Sequence, residues 1–552
     1  KDGKAYSIKP TDGTGDFTFS RGSNLAATRV GADGLIEKGR ENLLLQSNTF
    51  SDASWTKVSL TLAGGQSGYD GSSDAWLMTK SIVNNYVGLR RNGISITGVS
   101  TFSFYAKSGA TNFVMAELGG NGARWFDLTN GSSPTGFGSG ILSYSSQDVG
   151  NGWYRCSITT KGSNAISTVN LYVMATSGAT TTAGSFYLQD AQLEIGLTST
   201  EYIESGASTG TAGILEDTPR FDYSNGASCP SLLLEPSRTN LVPSEYFGAG
   251  YTLSGAAIIN NNTTSPEGLQ NATKIYPTAS GNYKHIRYGS LNPSTGVHTF
   301  SIFAKAGELD HLVLIDYDGG GVGVDFDLST GVANDSASVA FDFVDMVDYG
   351  NGWYRCVATA TNLRFYWILS DNGGVSVTAN GTDGLYIYAA QAEANAYPTS
   401  YIPNHSGGTI TRAVDVISKD LTSVINNNQM TMFLDVKSLE AISTVIAADN
   451  FGDLRWYHQA GNRFRFYKID DADWVTNSFV VNDGDKIALT LTDTQAKLFV
   501  NGSQVGTTFA LTTSFQNFTN LSYNVGSSKN ELNQLLIFRT ALSDADCITL
   551  TT

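Results

Sequence analysis

The chain has 552 residues, with 50 acidic against 34 basic side chains, a formal net charge of −16 at pH 7 and a pI near 4.7. That balance excludes a phosphate-backbone binder, which needs clustered Lys and Arg to release counterions, and no basic run exists. No apolar stretch of about 18 residues and no charged-then-apolar leader occurs, so neither nucleic acid nor membrane insertion is expected.

Charged residues are only 15% of the chain while Gly reaches 59 and aromatics 11%, the profile of many short strands joined by polar turns. Residues 1–40 read as an N-terminal connector. It opens at Lys1 without a Met, so the expectation is that the start has been removed or that these residues continue from others, an attachment segment among the options. Residues 41–206 read as a first β-sandwich module. Its Thr101-Phe102-Ser103-Phe104-Tyr105-Ala106-Lys107 alternates with period two, as a half-buried strand requires. Residues 207–231 form a bridging segment whose turn signals and aromatics predict a stretch ordered against its neighbours.

Residues 232–405 repeat the module. Asp148-Val149-Gly150-Asn151-Gly152-Trp153-Tyr154-Arg155-Cys156 recurs, with one change, as Asp348-Tyr349-Gly350-Asn351-Gly352-Trp353-Tyr354-Arg355-Cys356. Asn42-Leu43 answers Asn240-Leu241, and Gln192-Leu193-Glu194 with Tyr202-Ile203 answers Gln391-Ala392-Glu393 with Tyr401-Ile402. Such a repeat is too long for a solenoid and has the size of an independently folding domain. Residues 406–552 form a last domain, where Asn501-Gly502 predicts a tight hairpin turn with positive φ and Ser543 a cap for a short helix.

Glu41-Asn42-Leu43-Leu44-Leu45-Gln46-Ser47-Asn48-Thr49-Phe50, leading to Trp55, Gly152-Trp153-Tyr154-Arg155 and Gln192-Leu193-Glu194, resembles the carbohydrate-binding-module-like β-sandwich of bacteriophage tail-fibre and other virion proteins. The second copy adds Leu232-Leu233-Leu234-Glu235-Pro236-Ser237-Arg238-Thr239-Asn240-Leu241, Tyr401-Ile402-Pro403 and Thr411-Arg412-Ala413, and Ser20-Arg21-Gly22-Ser23 with Ala27-Thr28-Arg29-Val30 resembles the lead-in segment of the same proteins. Lys486-Ile487-Ala488-Leu489-Thr490-Leu491, Ala496-Lys497-Leu498-Phe499-Val500-Asn501-Gly502 and Leu535-Leu536-Ile537-Phe538-Arg539-Thr540-Ala541-Leu542-Ser543 resemble a concanavalin A-like, laminin-G-like jelly roll. The resemblance implies an all-β chain of tandem β-sandwich (jelly-roll) domains, displayed on a virion surface as a fibre or spike. Its implied partners are a host cell-surface glycan, other virion proteins and further copies of itself in a homo-oligomer, a trimer among the options.

Enzymatic chemistry finds no motif. The Glu-x-Asp-x-x-Glu strand of jelly-roll glucanases is missing, and His285, His298, His311, His405 and His458 show neither i, i+4 pairing nor a His-Glu-x-x-His. Gly319-Gly320-Gly321-Val322-Gly323 lacks the Lys-Ser of a phosphate cradle and reads as a hairpin loop. A non-enzymatic adhesin is therefore the favoured reading, with a purely structural virion protein and a depolymerase without a readable motif as alternatives.

Sugar recognition by a β-sandwich rests on exposed aromatic faces with polar groups beside them. Aromatics and charges crowd the stretch from Arg455 to Trp474, which nominates Arg455, Trp456, Tyr457, Arg465, Tyr467, Asp473 and Trp474 as a glycan site. The competing reading puts Trp456 and Trp474 in the core. Trp153 and Trp353 read as structural plugs, and Cys156 and Cys356 as small buried apolar residues. No cofactor is expected; calcium is the exception, for which Asp449, Asn450 and Asp453, or Asp470, Asp471 and Asp473, supply hard oxygens, although acidic loops without metal are favoured.

Overall fold

The computed structural model describes residues 17–23, 25–80, 87–176, 183–243, 246–248, 250–288, 296–316, 322–335, 341–361, 365–421, 429–439, 445–448, 454–459, 463–467, 475–510, 520–525 and 529–552. The regular structure of the described residues is almost wholly strand, in antiparallel sheets, with one α-helix at Asp544–Thr551. This is the expected all-β class of packed sandwiches. Contacts divide it into two compact units, one drawn from Lys1–Glu37, Ile214–Arg238 and Thr411–Thr552, the other from Lys38–Gly213 and Thr239–Ile410.

The second unit holds both copies of the repeat. In the first copy one sheet runs in the order Gly136–Phe137, Gly122–Asp127, Phe113–Leu118, Val169–Met174, Gly88–Arg91, Trp55–Val58. The facing sheet runs Ile141–Gly150, Trp153–Thr160, Ser100–Ser108, Gly184–Ile195, Ala75–Lys80, Leu60–Gln66. The second copy repeats both orders strand for strand, from Val332–Asp335 to Tyr251–Ser254 and from Phe343–Asp348 to Ala256–Thr263. Phe102, Phe104 and Ala106 fill the core of the first copy and Phe300, Ile302 and Ala304 that of the second, which is what their period-two spacing requires. Each Asn-Gly ahead of the repeated Trp is a tight turn with two positive φ values, 55° and 78° at Asn151-Gly152 and 55° and 76° at Asn351-Gly352.

The copies meet within this unit. Val99 N donates to His405 O at 3.0 Å, Asn261 Nδ2 donates to Ser143 Oγ at 3.1 Å and Leu197 O at 3.0 Å, and Lys38 lies 2.7 Å from Glu267.

The first unit is a sandwich of two seven-stranded sheets. One runs Thr18–Ser20, Val416–Asp420, Asn520–Asn524, Val445–Ala448, Leu454–Gln459, Arg463–Tyr467, Val475–Val480; the other runs Arg220–Asp222, Ser231–Leu234, Asn530–Phe538, Met430–Leu439, Lys486–Leu491, Gln495–Val500, Ser503–Ala510. Strands from the lead-in, from the bridge and from the first residues of the stretch 232–405 read as the second module thus complete the C-terminal sandwich, and Phe19 and Leu234 enter its core beside Met432, Leu489 and Tyr523. Val500 and Ser503 flank the Asn501-Gly502 turn, whose φ values of 47° and 79° are the positive pair such a turn needs. Ser543 caps the helix by accepting from Asp546 N at 3.2 Å.

Candidate functional site

The strands Leu454–Gln459 and Arg463–Tyr467 form a hairpin in which Arg455 pairs with Tyr467, Trp456 with Phe466 and Tyr457 with Arg465. Five of the seven nominated residues therefore share one pair of adjacent strands. Asp473 and Trp474 lie outside the described residues, as do both acidic sets considered for calcium and the glycine run 319–321. Among the described residues, no three His, Cys, Asp or Glu side chains are arranged to hold a metal ion.

Trp153 and Trp353 are buried, at 1% and 2% exposure, and Trp353 Nε1 donates to Thr264 O at 3.0 Å. Neither ring has a face free for a ligand. Burial pushes the Cys156 thiol up to about 12 and raises that of Cys356 as well, which suits inert core residues.

The repeated Gln-x-Glu motif has a structural job. Glu194 accepts from Thr200 N at 2.9 Å and Thr200 Oγ1 at 2.6 Å, while Gln192 donates to Glu194 at 2.7 Å and accepts from Ile203 N at 2.7 Å. In the second copy Glu393 accepts from Thr399 N at 3.0 Å and from Gln391 at 2.8 Å, and Gln391 accepts from Ile402 N at 2.7 Å. Each pair latches the returning chain onto its sheet, and Asn42 and Asn240 close it by donating to Ile203 O and Ile402 O at 2.8 and 3.0 Å.

Where the copies differ, the first holds a polar cluster that has no counterpart among the described residues of the second. The loop Gly68 to Asp74 lies against the bulge at Gln189-Asp190: Gln189 Nε2 donates to Asp70 at 3.2 Å, Ser72 at 3.1 Å and Asp74 at 2.8 Å, and its Oε1 accepts from Tyr69 N at 3.0 Å. Tyr69 stacks on Tyr105 with ring centroids 3.7 Å apart, and its hydroxyl donates to Asp190 at 3.1 Å. Burial first, then the neighbouring charges of Asp74 and Asp70, push the Asp190 carboxyl up to about 7, against the Tyr69 and Tyr202 hydroxyls that favour its charged form. In the second copy Tyr388 and Ala389 take the places of Gln189 and Asp190, and Tyr388 is buried 6.2 Å from both Phe303 and Tyr401.

Asp70 and Asp74 are exposed and Tyr69, Tyr187 and Tyr202 half-buried, so the cluster pairs hydroxyl acceptors with partly open rings. Sequence reasoning misses Asp70, Ser72, Asp74, Gln189 and Asp190. The signal was available: between the matching strands, Gln189-Asp190 is answered by Tyr388-Ala389, a polar-for-apolar change in an otherwise faithful repeat.

No family model matches the chain, and no curated protein sequence matches it. Among solved structures, the LG1-3 region of the laminin α2 chain aligns at 9% identity over 84% of this chain and 97% of that one, with a TM-score of 0.13. The all-β sandwich architecture rests on the sheets themselves.

Proposed function

We propose that the chain is a non-enzymatic component of a phage particle, a fibre or spike that attaches to host-surface glycans. The observation that carries this reading is the hairpin of the C-terminal sandwich, which gathers Arg455, Trp456, Tyr457, Arg465 and Tyr467 onto two adjacent strands. Rings interleaved with guanidinium groups are the side chains that stack on sugars and bond their hydroxyls. The carboxylate–tyrosine cluster of the first module supports the same chemistry, and weak sites linked in one chain gain avidity.

The test is binding of purified protein to host cells and to host polysaccharide. Removing one stacking ring, by Trp456→Ala or Trp474→Ala, should weaken binding about five- to a hundredfold, on the scale of ~1–3 kcal/mol for an aromatic contact. A folded double variant that binds at full strength would return the chain to the structural reading. New reducing or unsaturated ends released from the polysaccharide would make it a depolymerase.

A further inference from the structure

Five charged side chains of the first unit, all with no solvent exposure, come from three separate stretches of chain. Arg21 Nη1 lies 3.3 Å from Asp415 Oδ1, Arg220 Nη1 lies 2.7 Å from Glu235 Oε2, and Arg412 Nη1 lies 2.9 Å from the same Oε2. Arg220 Nη2 also pairs with Asp415 Oδ2, so each carboxylate serves two guanidinium groups.

The backbone is drawn into the same knot. Glu235 N donates to Asp415 Oδ2 at 2.9 Å and Asp415 N to Glu235 O at 3.0 Å, while Arg220 Nη1 reaches Thr28 O and Arg412 Nη2 reaches Pro236 O, each at 3.1 Å. Every stretch is therefore tied to the others by a charge that cannot be solvated if its partner is missing. Such a network adds little net stability, because desolvation offsets its attraction, yet breaking one member is severe.

Between these stretches the chain makes two excursions, 38–213 and 239–410, and each is one copy of the sandwich. The first closes on its own two-stranded stem, with Asn42 paired to Gly210, Glu41 to Thr211 and Arg40 to Ala212. The second closes on the two-stranded sheet of Arg238–Asn240 with Ile410–Arg412. An excursion that leaves and returns at adjacent strands presents its host with a closed loop, which is the arrangement in which inserted domains are tolerated.

We infer that the C-terminal sandwich is a host domain assembled from three stretches, that the two repeated sandwiches are insertions carried on its stems and exchangeable as blocks, and that the Arg21–Asp415–Arg220–Glu235–Arg412 network closes the host. The host consequently cannot complete itself until residues beyond Arg412 have been made, whereas each insertion holds its own core and its own latch. Recognition surfaces on the insertions can then change without disturbing the fold that carries them. The inference stands whether or not the chain binds glycans.

Hydrogen exchange read by mass spectrometry on the full chain tests it, comparing the host strand Met430–Leu439 with the insertion strands Ser100–Ser108 and Val297–Lys305. Asp415→Asn, which strips charge from two of the pairs, should speed exchange in the host strand at least a hundredfold and leave both insertion strands within about twofold. A full-length variant with residues 38–213 replaced by a second copy of 239–410 should keep the parent's host protection. Loss of host protection in the block-exchange variant, or equal loss in all three strands in Asp415→Asn, overturns the inference. If Asp415→Asn yields no folded host at all, the block-exchange variant still decides.

Discussion

Asp190 and Ala389 occupy the same position of the same bulge in the two sandwiches, at φ values of 51° and 52°. Left-handed backbone at a residue other than Gly is strained, and Asp tolerates it better than Ala. The strain is common to both copies; the charge belongs to one.

That charge predicts a pH dependence. The Asp190 carboxyl is raised from 3.8 to about 7 in the fold, so its contribution to stability is fully present below about pH 4 and is lost as pH rises through 7. Asp190→Asn keeps an acceptor for the Tyr69 hydroxyl and removes the buried charge. Thermal unfolding of the first module should shift upward in the variant at pH 8, by the equivalent of ~2–4 kcal/mol, and coincide with the parent at pH 4. A gap independent of pH would sink the assignment.

His405 acts with the opposite sign. Burial, helped by Lys38, holds its imidazole well below 6.5, so the stabilising difference exists above that value and disappears as the unfolded chain takes up a proton on acidification. His405→Gln in the Asp190→Asn background should therefore lose less stability than its parent between pH 6.5 and 5. Urea midpoints across that window give the answer.

Gly98 bears on the same junction. At φ 88° it places an added Cβ 2.0 Å from His405 O, the group that accepts from Val99 N. Gly98→Ala should cost ~2–4 kcal/mol, because both the backbone and the clash resist it. An unchanged urea midpoint would show that the copies are not held together there.

The latches predict equality between copies. Thr200→Ala and Thr399→Ala each remove a hydroxyl that donates to a buried Glu, and each should cost ~1–3 kcal/mol in its own module. One silent substitution beside one costly one would mean that the matched motifs do unequal work.

Thiol chemistry tests the core directly. Cys229 is exposed, whereas Cys156, Cys356 and Cys547 are buried, with the Cys547 thiol pushed up to about 11 by burial and by Asp544 and Asp546. A colorimetric thiol reagent should titrate one cysteine quickly in the native protein and the others only after denaturation. Fast reaction at a second site would contradict the packing.

The all-β class, the Asn-Gly turns and the Ser543-capped helix are legible along the chain because each obeys a rule acting over a few residues, namely period two, positive φ and a side-chain cap, and the duplication is legible because its two copies spell the same words. Asn42, Gln192 and Glu194 also stand out along the chain because they recur with their counterparts in the repeat, and the fold explains them as latches. Arg21, Glu235 and Arg412 are visible in the sequence too, but nothing local says that they meet. Arg21 and Asp415 are 394 positions apart, and no periodicity or spacing operates over that distance. That pairing comes from the folded arrangement, as does the Asp190 environment, since a charge buried against partners brought in by chain closure is fixed by how the sheets stack and not by the residues beside it.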